Sequence, residues 1–344
     1  MGKVTIKSIA SDLGLSRNTV SMALKGNDLV APQTREKILR YAVKVGFIEK
    51  IPDVSQKEML KEKHTLYHIM ILRKSDVAVY WDKVINGITE EASRNYCQAH
   101  VAFISDEEEK NGQFPLGLDE KICAVFIVKL MDWNYVKKIK ERGFHIILLD
   151  GYYNKDVIPL GDVVRIEGGN AVSFLTRHLI AQGMRRIGFL NENSYIYETM
   201  HDRYVGYLDA MNQAGIPLEP DLVMPAMESD HFYFQSTFDQ IVEEYEKLPE
   251  AVVCGNDQIA QNLTLALRKK GLRVPEDVAV TGFDDNEDEM MDPFFSTVHV
   301  NAKWLGRRMV QCLLWRMQNE EAPYEKITVS GEVILRKSSC KNRN

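Results

Sequence analysis

Cysteine is scarce in this chain of 344 residues, with five (Cys97, Cys123, Cys254, Cys312 and Cys340) and no CxxC pair. That spacing argues against a zinc site and against a disulfide framework. Long apolar runs are also lacking, since no uninterrupted stretch reaches the ~18 residues a membrane helix needs. The opening Met1-Gly2-Lys3-Val4-Thr5 has no apolar signal core, so the chain reads as cytoplasmic. His64, His68, His201 and His299 show no metal-ligand spacing. No GxSxG, P-loop, GxGxxG, HExxH or paired Cys/His cluster is present. An enzyme is therefore not expected, and neither a metal nor a cofactor is implied.

What is present is enough apolar material, 45% of residues, for packed cores, and enough length for a small domain plus a large one. The net charge of −6 is unevenly spread. Residues 1–50 hold nine lysines and arginines against four acids, a net +5, which leaves −11 for the rest. A basic head on an acidic body fits a segregated nucleic-acid surface, although a solvated basic face has the same composition.

The head reads as three short helices. Thr5 can cap the first, whose Ile6, Ile9, Ala10 and Leu13 share one stripe, and Gly14 breaks it. Ser16 can cap a second, with Val20, Ala23 and Leu24 inward and Gly26-Asn27 ending it. A third begins at Pro32, buries Ile38, Leu39, Ala42 and Val45, and stops at Gly46. This is the plan of a helix-turn-helix. After a linker, strands and helices alternate. Strands are expected at 66–72, 100–104, 124–128, 145–149, 163–166, 186–190, 251–254 and 278–282. Helices are expected at 81–96, 134–142, 170–182, 203–214 and 258–270. That rhythm means parallel sheets with crossover helices, in numbers that suit two doubly wound subdomains.

Ligands in such folds sit outside the carboxyl ends of strands. Asp150, Asn256 and Asp284 each follow an expected strand, and Arg203 opens an expected helix. Their hydroxyl-matching donors and acceptors suit a polyhydroxylated ligand. Helix capping, a turn at Asp150-Gly151 or an ion pair between subdomains would explain the same residues. Trp81 and Tyr80 follow the first strand and could stack on a sugar ring, or could be surface or dimer contacts. The run His231-Phe232-Tyr233-Phe234 reads as a buried helix face or as cleft lining. Asp257 and Asp285 read as loop and cap residues, and Glu107–Glu109 and Glu287–Glu289 as solvated loops.

Specific segments carry a closer resemblance. Val4-Thr5-Ile6-Lys7-Ser8-Ile9-Ala10, Gly14-Leu15-Ser16-Arg17-Asn18-Thr19-Val20-Ser21 and Thr34-Arg35-Glu36-Lys37-Ile38 resemble the headpiece of the lactose-repressor (LacI) family. Further on, Arg203-Tyr204-Val205-Gly206-Tyr207, Asn256-Asp257-Gln258-Ile259-Ala260 and the run from Gly271 to Asp285 resemble segments of its core. The resemblance spans about Val4 to about Leu335. It implies a small all-α helix-turn-helix headpiece (1–49), a linker with a possible hinge helix (50–64), and an α/β two-lobed periplasmic-binding-protein-like core with parallel sheets (65–340). The lobes would be about 65–163 with 297–322, and 164–296 with 323–340.

The function so implied is a sequence-specific transcription regulator, of repressor type, that binds a pseudo-palindromic double-stranded DNA operator as a homodimer. A small-molecule effector between the lobes would control it, with a sugar or sugar derivative first and a nucleobase or nucleoside second. The effector contacts would be Trp81, Asp150, Arg203, Asn256 and Asp284. Arg17 and Asn18 stand at base-reading positions, where each can bond a base edge bidentately or merely touch phosphate. Thr5, Ser16, Thr19, Ser21 and Asn27 suit phosphate contact and capping. Two departures matter. Met22 replaces the usual Arg and cannot hydrogen-bond a base edge, so the operator should differ there. Ala31 replaces the usual Ser cap, at a cost of ~1 kcal/mol to the third helix. The linker lacks the family's Pro-Asn pair, and Met59 or Leu60 could be a minor-groove wedge or part of an ordinary solvated linker. A transport-type sugar-binding protein shares the large fold but not the headpiece.

Overall fold

A computed structural model of the chain describes residues 4–25, 30–48, 67–74, 79–129, 131–153, 159–192, 194–224, 233–286 and 295–340. Asn27, the linker 50–64 and its Met59 and Leu60 lie outside the described residues. Contacts divide the chain into two compact units. One comprises residues up to 67 together with 92–98, and the other 68–91 together with 99 onward.

Three helices, α1 (Ile6–Leu13), α2 (Arg17–Leu24) and α3 (Pro32–Lys44), build the first unit's head. Thr5 caps α1 in a reciprocal box: its Oγ1 accepts from Ser8 N (3.2 Å) and its N donates to Ser8 Oγ (2.9 Å). Gly14 ends α1 at φ 66°, a left-handed conformation that costs glycine little. Ser16 caps α2 by accepting from Thr19 N (3.0 Å). Ala31 precedes α3 without a side-chain cap, as its chemistry dictates. Ile9, Ala10, Val20, Ala23, Val30, Ile38 and Ala42 form one core, with Met22 packed against it and half-buried.

The second unit contains two parallel sheets. Strands β1 (Tyr67–Lys74), β2 (Cys97–Ile104), β3 (Ile122–Ile127), β4 (His145–Leu149), β5 (Asp162–Ile166) and β11 (Lys326–Val329) form the larger, in the order β11-β5-β4-β3-β1-β2. The smaller has the order β7-β6-β8-β9, from β6 (Ile187–Leu190), β7 (Val223–Met224), β8 (Ala251–Cys254) and β9 (Ala279–Thr281). β10 (Thr297–His299) and β12 (Glu332–Ile334) pair as an antiparallel ribbon. Central strands such as β4 and β8 are nearly continuous apolar runs, because helices cover both faces of a parallel sheet. The helices are α4 (Val79–Arg94), α5 (Asp106–Lys110), α6 (Trp133–Glu141), α7 (Gly169–Ala181), α8 (Glu198–Gln213), α9 (Gln235–Glu244), α10 (Asp257–Lys269) and α11 (Ala302–Gln318).

The strand pairing moves the expected crossing points. β5 runs to Ile166, and β11 pairs with it through Val329↔Ile166, so both belong to the larger sheet. The boundaries at 163/164 and 322/323 cut into or before these strands, and the chain passes to the smaller sheet beyond 166 and beyond 329. The short β10, β11 and β12 are too brief to announce themselves by pattern. Two further expectations change. Glu107–Glu109 are not a loop but part of α5, nucleated by the Ser105–Glu108 capping box, and Glu109 pairs with Lys74. Tyr233 and Phe234 are not a buried helix face. They precede α9 and are 39% and 56% exposed.

Helices α7 and α8 pack closely because Gly206 faces Gly169. A Cβ on residue 206 would strike the Gly169 carbonyl, which explains the glycine in the Arg-Tyr-Val-Gly-Tyr segment. Elsewhere Arg316 in α11 forks onto Asp162 of β5, with Nε to Oδ2 at 2.8 Å and Nη2 to Oδ1 at 2.7 Å, both residues at most 2% exposed.

Candidate functional site

The two sheets have the same switch in strand order, between β1 and β3 in one and between β6 and β8 in the other, and ligands in such folds lie outside the strand ends at that point. Five polar residues follow those ends: Tyr80 after β1, Asp150 after β4, Glu192 after β6, Asn256 after β8 and Asp284 after β9. α8 sets Arg203 among them. The expectation that Arg203 opens its helix is corrected, since α8 starts five residues earlier at Glu198 and Arg203 lies in its second turn.

Arg203 is the hub. It is 3% exposed, its guanidinium carbon sits 3.6 Å from the Phe283 ring centroid, and Nη1 donates to the Gly255 carbonyl at 2.5 Å. Nη2 faces Asp284 Oδ1 at 3.8 Å. Burial lifts the Asp284 carboxyl to about 6, with Arg203 pulling it down and Glu192 pushing it up. The backbone of Asp284 is left-handed at φ 103°, as is that of Asp150 at φ 74°. Such conformations in non-glycine residues are held by surrounding contacts and concentrate at functional sites.

Asp150 joins the loop after β4 to the start of α8. Its Oδ1 accepts from Gly151 N (2.7 Å) and Thr199 N (3.2 Å), and its Oδ2 accepts from the Thr199 hydroxyl. The carboxylate thus makes the turn and caps a helix belonging to the other sheet. Asn256 also works as a cap, its Oδ1 accepting from Ile259 N at 2.9 Å, while its Nδ2 donates to the Tyr233 hydroxyl at 2.8 Å. That hydroxyl in turn donates to Glu192. The Tyr80 phenol is held above the ordinary tyrosine value by burial and by the charge of Asp284, with Arg203 opposing and Asp150 adding to the rise. Trp81 packs edge-on against Tyr80, ring centroids 4.9 Å apart.

Asp257 and Asp285 tie loops together. Asp257 accepts from Thr297 Oγ1 (2.7 Å) and Asn286 N (3.0 Å), and Asp285 pairs with Arg336 (2.7 Å) and His299 (3.0 Å). Sequence reasoning on strand ends finds Asp150, Asn256 and Asp284, and the same rule applied to the end of β6 would have reached Glu192. Tyr233 lies nine residues beyond the last residue of β7, Met224, outside the reach of that rule. Two cavities of about 360 and 410 Å³ are lined by Arg186 and by Arg165 respectively, and the second borders Gly151 and Glu198, next to Asp150 and Thr199. Their arginines are already paired, Arg186 with Asp221 and Arg165 with Glu198. The residues that converge on Arg203 come from the strand ends of both sheets and are the candidate for a ligand.

In the head, Arg17 and Asn18 are exposed at the start of α2, beside the exposed cap Ser16. Thr5 is exposed at the start of α1, while Thr19 and Ser21 are half-buried. Among the described residues no group of His, Cys, Asp and Glu could hold a metal ion, and no helix is long and apolar enough to cross a membrane.

A helix-turn-helix head and a core of two switch-point sheets define the class of regulators that join a DNA-reading domain to a periplasmic-binding-protein-like one. Residues 176–339 match the periplasmic binding protein-like domain family. The HTH-type transcriptional repressor PurR of Haemophilus influenzae (strain PittEE) is 28% identical, over 97% of this chain and 98% of its own length. The HTH-type transcriptional regulator RegA of Clostridium saccharobutylicum is 26% identical, over 97% and 99%. The structure of the transcriptional regulator CelR–cellobiose complex superposes with TM-score 0.67 at 21% identity, covering 98% of this chain and all of that one. Along nearly its whole length the chain is thus similar to HTH-type transcription regulators, and its core shares their fold. Its relatives are regulators rather than enzymes.

Proposed function

We propose that this chain is a cytoplasmic, DNA-binding repressor, without catalytic activity, whose operator affinity is set by a small molecule held among Tyr80, Asp150, Arg203, Asn256 and Asp284. The observation that carries the reading is the convergence of these residues, drawn from the strand ends of both sheets, around Arg203. A ligand bridging them would fix the relative position of the two sheets, and a coupling of ~1–3 kcal/mol suffices to move operator affinity five- to 150-fold. Hydroxyl-matching donors and acceptors favour a sugar, and solved relatives carry cellobiose and ribose in their descriptions. A nucleobase is the second reading, favoured by the Tyr80 ring and by relatives named PurR.

Residues 1–49 act as the headpiece, 50–64 as the linker and 65–340 as the effector-binding and dimerising core. Arg17 and Asn18 read base edges, Thr5, Ser16, Thr19, Ser21 and Asn27 meet phosphates, and Met59 or Leu60 serves as the wedge. The test is capture of genomic fragments by the purified protein, with and without candidate ligands. A recovered near-palindrome whose capture responds to ligand supports the reading. A ligand response unaltered by Arg203→Ala, with fold intact, would place the effector elsewhere.

A further inference from the structure

The start of α8 is fastened to the larger sheet by more than the Asp150 cap. Residues 151–153, which follow β4, run antiparallel to residues 196–198, and Tyr152 pairs with Tyr197. Two backbone bonds flank that pair: Glu198 N donates to Gly151 O at 2.9 Å, and Tyr153 N donates to Ile196 O at 2.8 Å. The rings of Tyr153 and His201 stack, with centroids 3.5 Å apart.

Charge reinforces this seam. Glu198 and Asp202 lie one turn apart on α8 and share a face. Arg165 of β5 divides its guanidinium between them, Nη1 donating to Glu198 Oε2 at 2.9 Å and Nη2 to Asp202. The other oxygen of Glu198 accepts from Lys326 Nζ, at the start of β11, at 2.5 Å. The side chains of Arg165 and Glu198 are only 12% and 16% exposed, so salt screens their attraction less than that of a surface pair. Glu198 also lies against Gly151, where a Cβ would collide with its carboxylate. One carboxylate thus gathers β5, β11 and the loop after β4 onto the helix that carries Arg203. Arg203 in turn bonds the Gly255 carbonyl, beyond β8 of the smaller sheet.

We infer that Glu198 is a positioning residue of the effector site: it clasps α8 to the larger sheet and so registers Arg203 against Tyr80 and Asp150 before a ligand arrives. The consequence for ligand rests on the proposed effector site. A ligand that bridges the two sheets binds in proportion to the population of the converged arrangement. A weaker clasp therefore lowers affinity while every expected contact residue is kept.

The test combines amide exchange with ligand titration on the full chain. In Glu198→Gln and in Lys326→Met, the amides of residues 153 and 198, which bond across the seam, are expected to exchange about tenfold faster, while those of α10 keep their rates. Affinity for whichever of ribose, cellobiose, glucosamine and hypoxanthine stabilises the unmodified protein is expected to fall about fivefold in both variants. Lys269→Met breaks an ion pair with Asp239, between α10 and α9, and is expected to leave that affinity unchanged. Unchanged exchange across the seam in both variants overturns the clasp. Faster exchange with unchanged affinity, or an equal loss of affinity in Lys269→Met, overturns the positioning role and leaves effector control standing. No response to any compound in the unmodified protein overturns effector control by these classes and the positioning role with it, while the exchange rates still decide the clasp.

Discussion

Asp150 and Thr199 bind each other across the two sheets of the large unit. The carboxylate that follows β4 accepts both the backbone N–H and the hydroxyl of a residue in the first turn of α8. The helix that carries Arg203 is therefore capped from the other sheet, and any shift between the sheets must either move Arg203 or break the cap. Asp150→Ala is expected to cost ~1 kcal/mol through the lost cap. It should also weaken effector binding about tenfold, because Arg203 loses its registration. Urea unfolding and ligand titration of the same variant separate the two effects. Loss of stability with unchanged ligand affinity would confine Asp150 to capping.

Met22 sits on α2 beside the exposed Arg17 and Asn18, with part of its side chain packed on the head's core. Its thioether can meet a thymine methyl but offers no hydrogen-bond donor to guanine. Met22→Arg is expected to create a guanine preference at one symmetric position of the operator, worth ~1–3 kcal/mol of discrimination. Selection from a randomised operator library with both proteins checks this. Identical selected sequences would remove residue 22 from base reading.

Arg316 and Asp162 form a buried pair that also gathers the loop before β11, since Arg316 donates to the carbonyls of Asn319, Ala322 and Pro323 and Asp162 accepts from Glu325 N. Removing one partner strands the other's charge, at a cost of ~3–5 kcal/mol. Asp162→Ala and Arg316→Ala are each expected to lower the unfolding midpoint strongly, and the double variant is expected to lose far less than the sum. Strict additivity in that cycle would show that the two residues act independently.

Asp257 is buried next to Asp284, and burial first, then that neighbouring charge, lifts its carboxyl to about 7 from an ordinary 3.8. The folded protein thus holds this proton more tightly than the unfolded chain does. The group's contribution is most favourable below pH 4 and declines as pH rises toward 7. Asparagine carries no proton to lose, so Asp257→Asn should be costlier at pH 5 than at pH 8. Thermal unfolding of both proteins from pH 5 to 8 measures the gap between them, and a gap independent of pH would contradict the assignment.

Much of this architecture is legible in the residues themselves. The apolar runs of β4 and β8 mark those strands to the residue, because a parallel strand buried on both faces has a continuous signature. Thr5 and Ser16 mark helix starts through their capping chemistry. The three-residue β10 and β12 carry no such pattern, and their existence depends on pairing with each other. The start of α8 at Glu198 depends on a cap supplied from Asp150, 48 residues earlier in sequence, which no local rule exposes. Tyr233 is obscured for a related reason, since its role comes from a hydrogen bond to Asn256 rather than from its neighbours.

Residues 326–339 complete both halves of the large unit. β11 forms the edge of one sheet, while the buried Ser338 donates to Val280 in the other and accepts from Ser296 N. Neither half can close until the ribosome has passed this stretch, whereas the three-helix head is finished early in synthesis. Under the proposed function, a nascent or truncated chain carries a DNA-reading head before the effector site that would govern it is complete.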